Sequence, residues 1–217
     1  MRLRSIAALG IAAGIGLGGI AAPVNAASAP KPGSTCMMSG ETRLVSGKAF
    51  ICSAGAEGNT WSEGLKRSAS PLTIQDSWIK VADSGMTSGF GVITNPTNKP
   101  ITVIGARSPR YAGVVQLHDV AMENGTMQMK EMEGGFVIPA RGSLELKPGG
   151  EHLMLMRMKQ PVAAGEMVPI TLITSDGGQL RFRSMGKVFA GANEEYEAGG
   201  MDHGGMNHGG MNHGGMN

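Results

Sequence analysis

From about residue 71 to residue 190 the chain is cut too often to hold a helix of ordinary length. Asn95-Pro96, Lys99-Pro100, Pro109, Asn124-Gly125, Pro148-Gly149-Gly150, Gly165 and Asp176-Gly177-Gly178 interrupt it. Glycine and proline in such pairs mark turns. What remains between them are strand-length runs at 72–81, 88–94, 101–107, 113–121, 127–132, 143–146, 152–158, 168–174 and 180–183. Short strands at this spacing predict an all-β fold, an antiparallel sandwich or barrel. Glycine, at 35 residues, and an aromatic content of only 4% fit a turn-rich domain better than a large helical one.

The flanks read differently. Arg2 and Arg4, an apolar run over 6–22 and Val24-Asn25-Ala26 make residues 1–26 an expected secretory signal peptide. The expected product is extracytoplasmic, with no membrane insertion after cleavage. No lipobox precedes Cys36, which follows Gly33-Ser34-Thr35. Removing Arg2 and Arg4 takes Lys+Arg from 19 to 17, equal to Asp+Glu at 17. A neutral chain gives no reason to expect nucleic acid or an anionic membrane as partner.

Residues 27–69 read as a Pro/Ser/Ala-rich linker, disordered over 27–34, followed by a short cysteine segment. Residues 42–45 and 48–51 are expected to pair as a hairpin across Ser46-Gly47. In an oxidising compartment a disulfide between Cys36 and Cys52 is the expectation. A redox or metal-binding thiol pair is the alternative, although the spacing gives no CxxC.

All five histidines lie near methionines. His203, His208 and His213 belong to a glycine-rich tail, 191–217, that repeats Met-Asp/Asn-His-Gly-Gly and is expected to be disordered. Its candidate ligands are Met201, His203, Met206, His208, Met211, His213 and Met216. His118 and His152 belong to the domain, 70–190. Strand pleat puts His152 and Met154 on one face, continued by Met156 and Met158, and Met127 with Met129 on another. On the strand before, Gln116 and His118 alternate with Val115 and Leu117, so His118 should point out of the core.

Thioether and imidazole without thiolate suit copper, above all Cu(I). The competing structural readings are a surface histidine at 118, a core methionine stripe over 154–158, and methionine as core filler at Met86, Met167 and Met185.

The segment 70–190 resembles the PCu(A)C family of periplasmic copper chaperones. That family's motif is a His, ten residues, a Met, twenty-one residues, then His-x-Met. Here His118 is followed by ten residues and Met129, then by twenty-two residues and His152-Leu153-Met154. The surplus residue falls near Glu133-Gly134-Gly135. Met122 loosely matches a further family methionine. Ile138-Pro139-Ala140, 144–150 and the run 74–95 also look like the family.

The resemblance implies a cupredoxin-like, Ig-like β-sandwich with an exposed Cu(I) site. It implies His118, Met129, His152 and Met154 as ligands, with Met122 and Met127 in reserve. It also implies delivery of copper to a recipient such as a cytochrome c oxidase subunit. A monomer is expected, with Cu(I) in the domain and Cu(II) or Cu(I) in the tail.

No GxSxG, HExxH or P-loop is present, so an enzyme is not expected. Copper sequestration, an Ig-like interaction module without metal, and a copper redox enzyme or thiol reductase using Cys36 and Cys52 are the other readings.

Overall fold

The computed structural model of the chain describes residues 28–123, 126–191 and 195–196, without side chains at 122–123, 126–127 and 195–196. The expected signal peptide and the seven tail ligands lie outside these residues. Among the described residues there is no helix.

The strands are β1 (Thr42–Val45), β2 (Lys48–Ser53), β3 (Thr60–Trp61), β4 (Leu65–Lys66), β5 (Ser68–Ala69), β6 (Thr73–Lys80), β7 (Thr87–Thr94) and β8 (Ile101–Arg107). They continue as β9 (Ala112–Glu123), β10 (Thr126–Glu131), β11 (Phe136–Ile138), β12 (Ser143–Leu146) and β13 (His152–Met158). The last are β14 (Met167–Thr174), β15 (Gly178–Lys187) and β16 (Glu195–Tyr196).

The main sheet runs β11-β8-β14-β15-β6-β7-β13-β9-β10-β16. An extra bridge, Ala106↔Val115, joins β8 to β9 and closes strands β8, β14, β15, β6, β7, β13 and β9 into a ring. Closure removes the bare edges that an open sandwich leaves. The ring pairs antiparallel, as expected of such a sandwich or barrel, except at β15. This strand runs parallel to β6, a pairing between the first and last ring strands that no local turn specifies.

The ring is filled by aliphatic and aromatic side chains, among them Ile79, Val103, Val115, Leu117, Phe136, Leu153, Leu155, Val168 and Leu172. Each alternates with an outward neighbour, as the period of two requires. Met86, Met167 and Met185 are not core filler; they stand among the exposed large hydrophobics. At Met167 and Met185 the alternation that buries Val168 and Ser184 turns these two side chains outward.

The cysteine segment forms a four-stranded sheet of its own. β1 and β2 pair across Ser46 and Gly47, both at positive φ, as a two-residue primed turn requires. Cys36 and Cys52 are joined, with Cα atoms 6.0 Å apart across a sequence separation of 16. A loop of that size contributes about 3 kcal/mol on the chain-entropy model.

Residues 27–34 were expected to be disordered. Instead Gly33 N–H donates to Trp61 O, and Trp61 N–H to Ser34 O. These bonds tie residues 33–34 to β3, whose Trp61 is buried beside the disulfide. The module docks on the ring through Ala49, Ile51 and Ile173, with Leu44, Leu65 and Ile104 packed alongside.

Candidate metal centre

β13 lies beside β9 in a register that sorts side chains by chemistry. Leu153 faces Leu117 and Leu155 faces Val115, all four inside the ring. One residue along, His152 faces His118, Met154 faces Gln116 and Met156 faces Val114, on the outward side. The two imidazole rings meet edge to face with centroids 5.5 Å apart.

The β9–β10 hairpin brings the next donors. Met129 is opposite Val120 and Glu131 is opposite His118. Met129, Met154 and Met156 form one buried cluster with Val120 packed against it. The two imidazoles and two thioethers singled out in the sequence are thus gathered on one side of the sheet. Met122 and Met127 face each other on the same hairpin, with their side chains outside the described residues.

His118 points away from the aliphatic core, as the alternation predicts. The exposed site is corrected: His118 is 0% and His152 2% exposed. Three things cover this side. Met129 closes over it from the hairpin. Phe90, stacked on Trp78, stands 6.2 Å from His152 ring to ring. The disulfide module reaches it through Ser39 and Gly40. At Gly40, with φ +79, a Cβ would meet Gln116 Cγ at 2.8 Å. Only glycine combines that backbone conformation with so close an approach.

Hydrogen bonds fix which nitrogen of each ring can bind a metal. Gln116 Nε2 donates to Ser39 O at 3.0 Å and to Glu131 Oε2 at 3.2 Å. Its Oε1 therefore faces His118 and accepts from Nε2–H at 2.9 Å. Nδ1 of His118 then carries the lone pair. His152 Nδ1–H donates to Gly150 O at 2.8 Å, so its lone pair is on Nε2. Metal-ligating histidines are oriented in the same way, by a second partner on the far nitrogen.

Burial, reinforced by the neighbouring His152, lowers the His118 pKa to about 3. The ring is neutral at any ordinary pH and need not lose a proton to take a metal. Glu131, which also accepts from the Ser39 hydroxyl, is pushed up chiefly by burial. The sequence reading missed Ser39, Gln116 and Glu131 as supports. Gln116 was legible as the same-face neighbour of His118, but Ser39 and Glu131 meet it only in three dimensions.

The donor set is neutral imidazole plus thioether. Among the described residues no group of three or more His, Cys, Asp or Glu is placed to hold a metal ion. The two thiols are consumed in the disulfide. Zinc takes imidazole, thiolate or carboxylate but not thioether as its usual ligands, and the hard cations take oxygen, whereas a neutral imidazole and thioether set fits Cu(I).

Fold and site together define a small β-domain that carries a buried His–Met donor cluster on the outside of a closed sheet. The chain belongs to the family described as "Putative lipoprotein LpqE-like", whose model matches residues 72–184. It is 40% identical over 131 residues to "Putative lipoprotein Lxx21020" of Leifsonia xyli subsp. xyli, covering 60% of this chain and 78% of that protein.

It is also 27% identical over 100 residues to "Uncharacterized protein RP573" of Rickettsia prowazekii, covering 46% and 53% of the two chains. Among solved structures it is similar to the copper-bound PCuAC domain from PmoF2, at TM-score 0.46 and 17% identity over 56% of this chain and 96% of that one. It is similar as well to the Cu(I) form of DR1885 from Deinococcus radiodurans, at TM-score 0.43 and 31% identity, covering 58% and 85%.

Proposed function

We propose that this chain is an extracytoplasmic copper chaperone that takes Cu(I) as cargo and is not an enzyme. The observation that carries this reading is the facing pair His118 and His152, with lone pairs set by Gln116 and Gly150, on the side that buries three thioethers. In this reading His118, Met129, His152 and Met154 bind the ion, with Met122 and Met127 in reserve. Neutral donors hold a monovalent soft ion without the thiolates that an oxidising compartment would consume. Membership of a family described as lipoproteins supports a place in the cell envelope.

The tail extends the same chemistry. β16 pairs with β10 so that Tyr196 lies beside Met129, and Met201 follows five residues later. Five residues span at most about 17 Å. The first Met-x-His unit therefore starts within reach of the cluster, and a tethered ligand raises the local copper concentration there. Histidines of the tail take Cu(II) and its methionines Cu(I). The recipient in this reading is a copper-accepting protein such as a cytochrome c oxidase subunit.

X-ray absorption on the Cu(I)-loaded chain tests the ligand set. A mixed nitrogen and sulfur shell that loses sulfur in the Met129→Ala/Met154→Ala double variant is expected. An unchanged shell would place the ion elsewhere. Sequestration is a second reading, favoured by the burial of both imidazoles. Mixing the loaded chain with an apo-oxidase copper fragment separates the two, because sequestration leaves the metal where it is.

A further inference from the structure

Far from the His–Met side, three arginines gather on the outward face of β8, β14 and β15. Arg107 and Arg181 are both in register with Thr171 and so flank it on one side of the sheet. Arg67 comes from the junction between β4 and β5. Its Nη2 donates to Gln179 Oε1 at 3.3 Å, and Arg181 Nη2 donates to the same oxygen at 2.9 Å. Two guanidinium groups thus share a single neutral acceptor.

Donors outnumber acceptors here. Among the described residues Arg67 Nε and Gln179 Nε2 are buried with no hydrogen-bond partner, and Gln179 is only 6% exposed. A buried donor without a partner costs free energy that a bound acceptor would recover. Among the described residues no carboxylate is ion-paired with any of the three arginines. Burial first, then the charges of Arg67 and Arg181, lower the Arg107 pKa. The three like charges repel one another, and an anion among them would offset that repulsion.

Arg67, Ser68, Ala69, Gln179 and Arg181 line an open depression of about 320 Å³. Guanidinium forks match the oxygen spacing of tetrahedral oxyanions and bind them through paired N–H donors.

We infer that Arg67, Arg181 and Gln179, with Ser68 at the rim and Arg107 adding charge from the far side of β14, form a binding site for a phosphate group. The ligand is a phosphate dianion, either free or as the monoester headgroup of a lipid. The small formal net charge of the chain, +2, hides this local excess, because net charge does not report where charges lie. The inference does not depend on the copper reading, which concerns another side of the molecule.

The test is calorimetric titration of residues 27–217 with inorganic phosphate, followed by amide NMR. One saturable equivalent is expected, with shifts at Ser68, Thr171 and Gln179. Arg181→Gln should weaken it by about tenfold or more, as loss of a charged hydrogen-bond partner does. Arg181 is exposed, so the variant should keep the parent's melting temperature and Cu(I) titration. Absence of saturation, or equal affinity in Arg181→Gln, would overturn the site.

Flotation with phosphatidic acid vesicles, against phosphatidylcholine alone, identifies the source. Binding that phosphate competes away and Arg181→Gln weakens assigns the lipid headgroup. Saturation by phosphate without flotation assigns the free ion.

Discussion

Leu117 and Leu153 face each other across β9 and β13, and one residue further on so do His118 and His152. Both pairs are buried. The leucines belong to the ring's aliphatic filling, where removal from water is what stabilises the fold. The histidines sit on the other side, where burial works against a charged ring and each one keeps a hydrogen bond to hold its orientation. A pair that acts through volume tolerates exchange for another hydrophobe of similar size. A pair that acts through lone pairs tolerates almost nothing. The same two strands therefore carry a stability row and a chemistry row, one residue apart.

Substitutions on the two rows should fail in opposite ways. Leu153→Ala should lower stability by about 2–5 kcal/mol and leave the folded fraction able to bind one Cu(I). His152→Ala should cost less stability and remove tight Cu(I) binding. Denaturant unfolding and Cu(I) competition on both variants check this. Copper loss that merely tracked stability loss would dissolve the distinction.

A smaller effect is expected one step out from the ligands. Gln116→Leu keeps the shape but removes the acceptor that holds His118 Nε2–H. Loss of such a support costs about 10–100-fold in metal affinity. Imidazole ¹⁵N shifts of the apo protein should report an Nε2–H tautomer for His118 that becomes mixed in the variant. An unchanged tautomer would mean that Gln116 only fills space.

The smallest effect is on pH dependence. The unfolded chain takes up the His118 proton near pH 6.5, whereas burial delays this in the folded chain until about pH 3. The stability present above pH 6.5 is therefore lost as pH falls through that window. His118→Gln should flatten the fall in the denaturant midpoint between neutral and mildly acid pH. The same slope in parent and variant would assign the proton uptake to another group.

Much of the main sheet was legible because turn residues bracket its strands. β8, β12 and β13 match the runs expected at 101–107, 143–146 and 152–158. β11 was missed because its three residues, between Gly135 and Pro139, are too few to show a period. β3, β4 and β5, at two residues each, exist only through their partners.

The parallel β6–β15 contact joins segments more than a hundred residues apart, so no local signal encodes it. Alternation could place His118 outside the core but could not say what covers it, since Ser39, Phe90 and Met129 arrive from three other segments. The arginine site was invisible for the same reason. Arg67, Arg107 and Arg181 come from separate segments, and the near balance of charge over the whole chain conceals them.

An anaerobic Cu(I) competition titration of residues 27–198 tests the metal centre most directly, because it leaves the tail out. One tight equivalent is expected, abolished by Met154→Ala while the fold persists. No tight equivalent, or one that survives Met154→Ala, would contradict a Cu(I) site on the β9–β13 face.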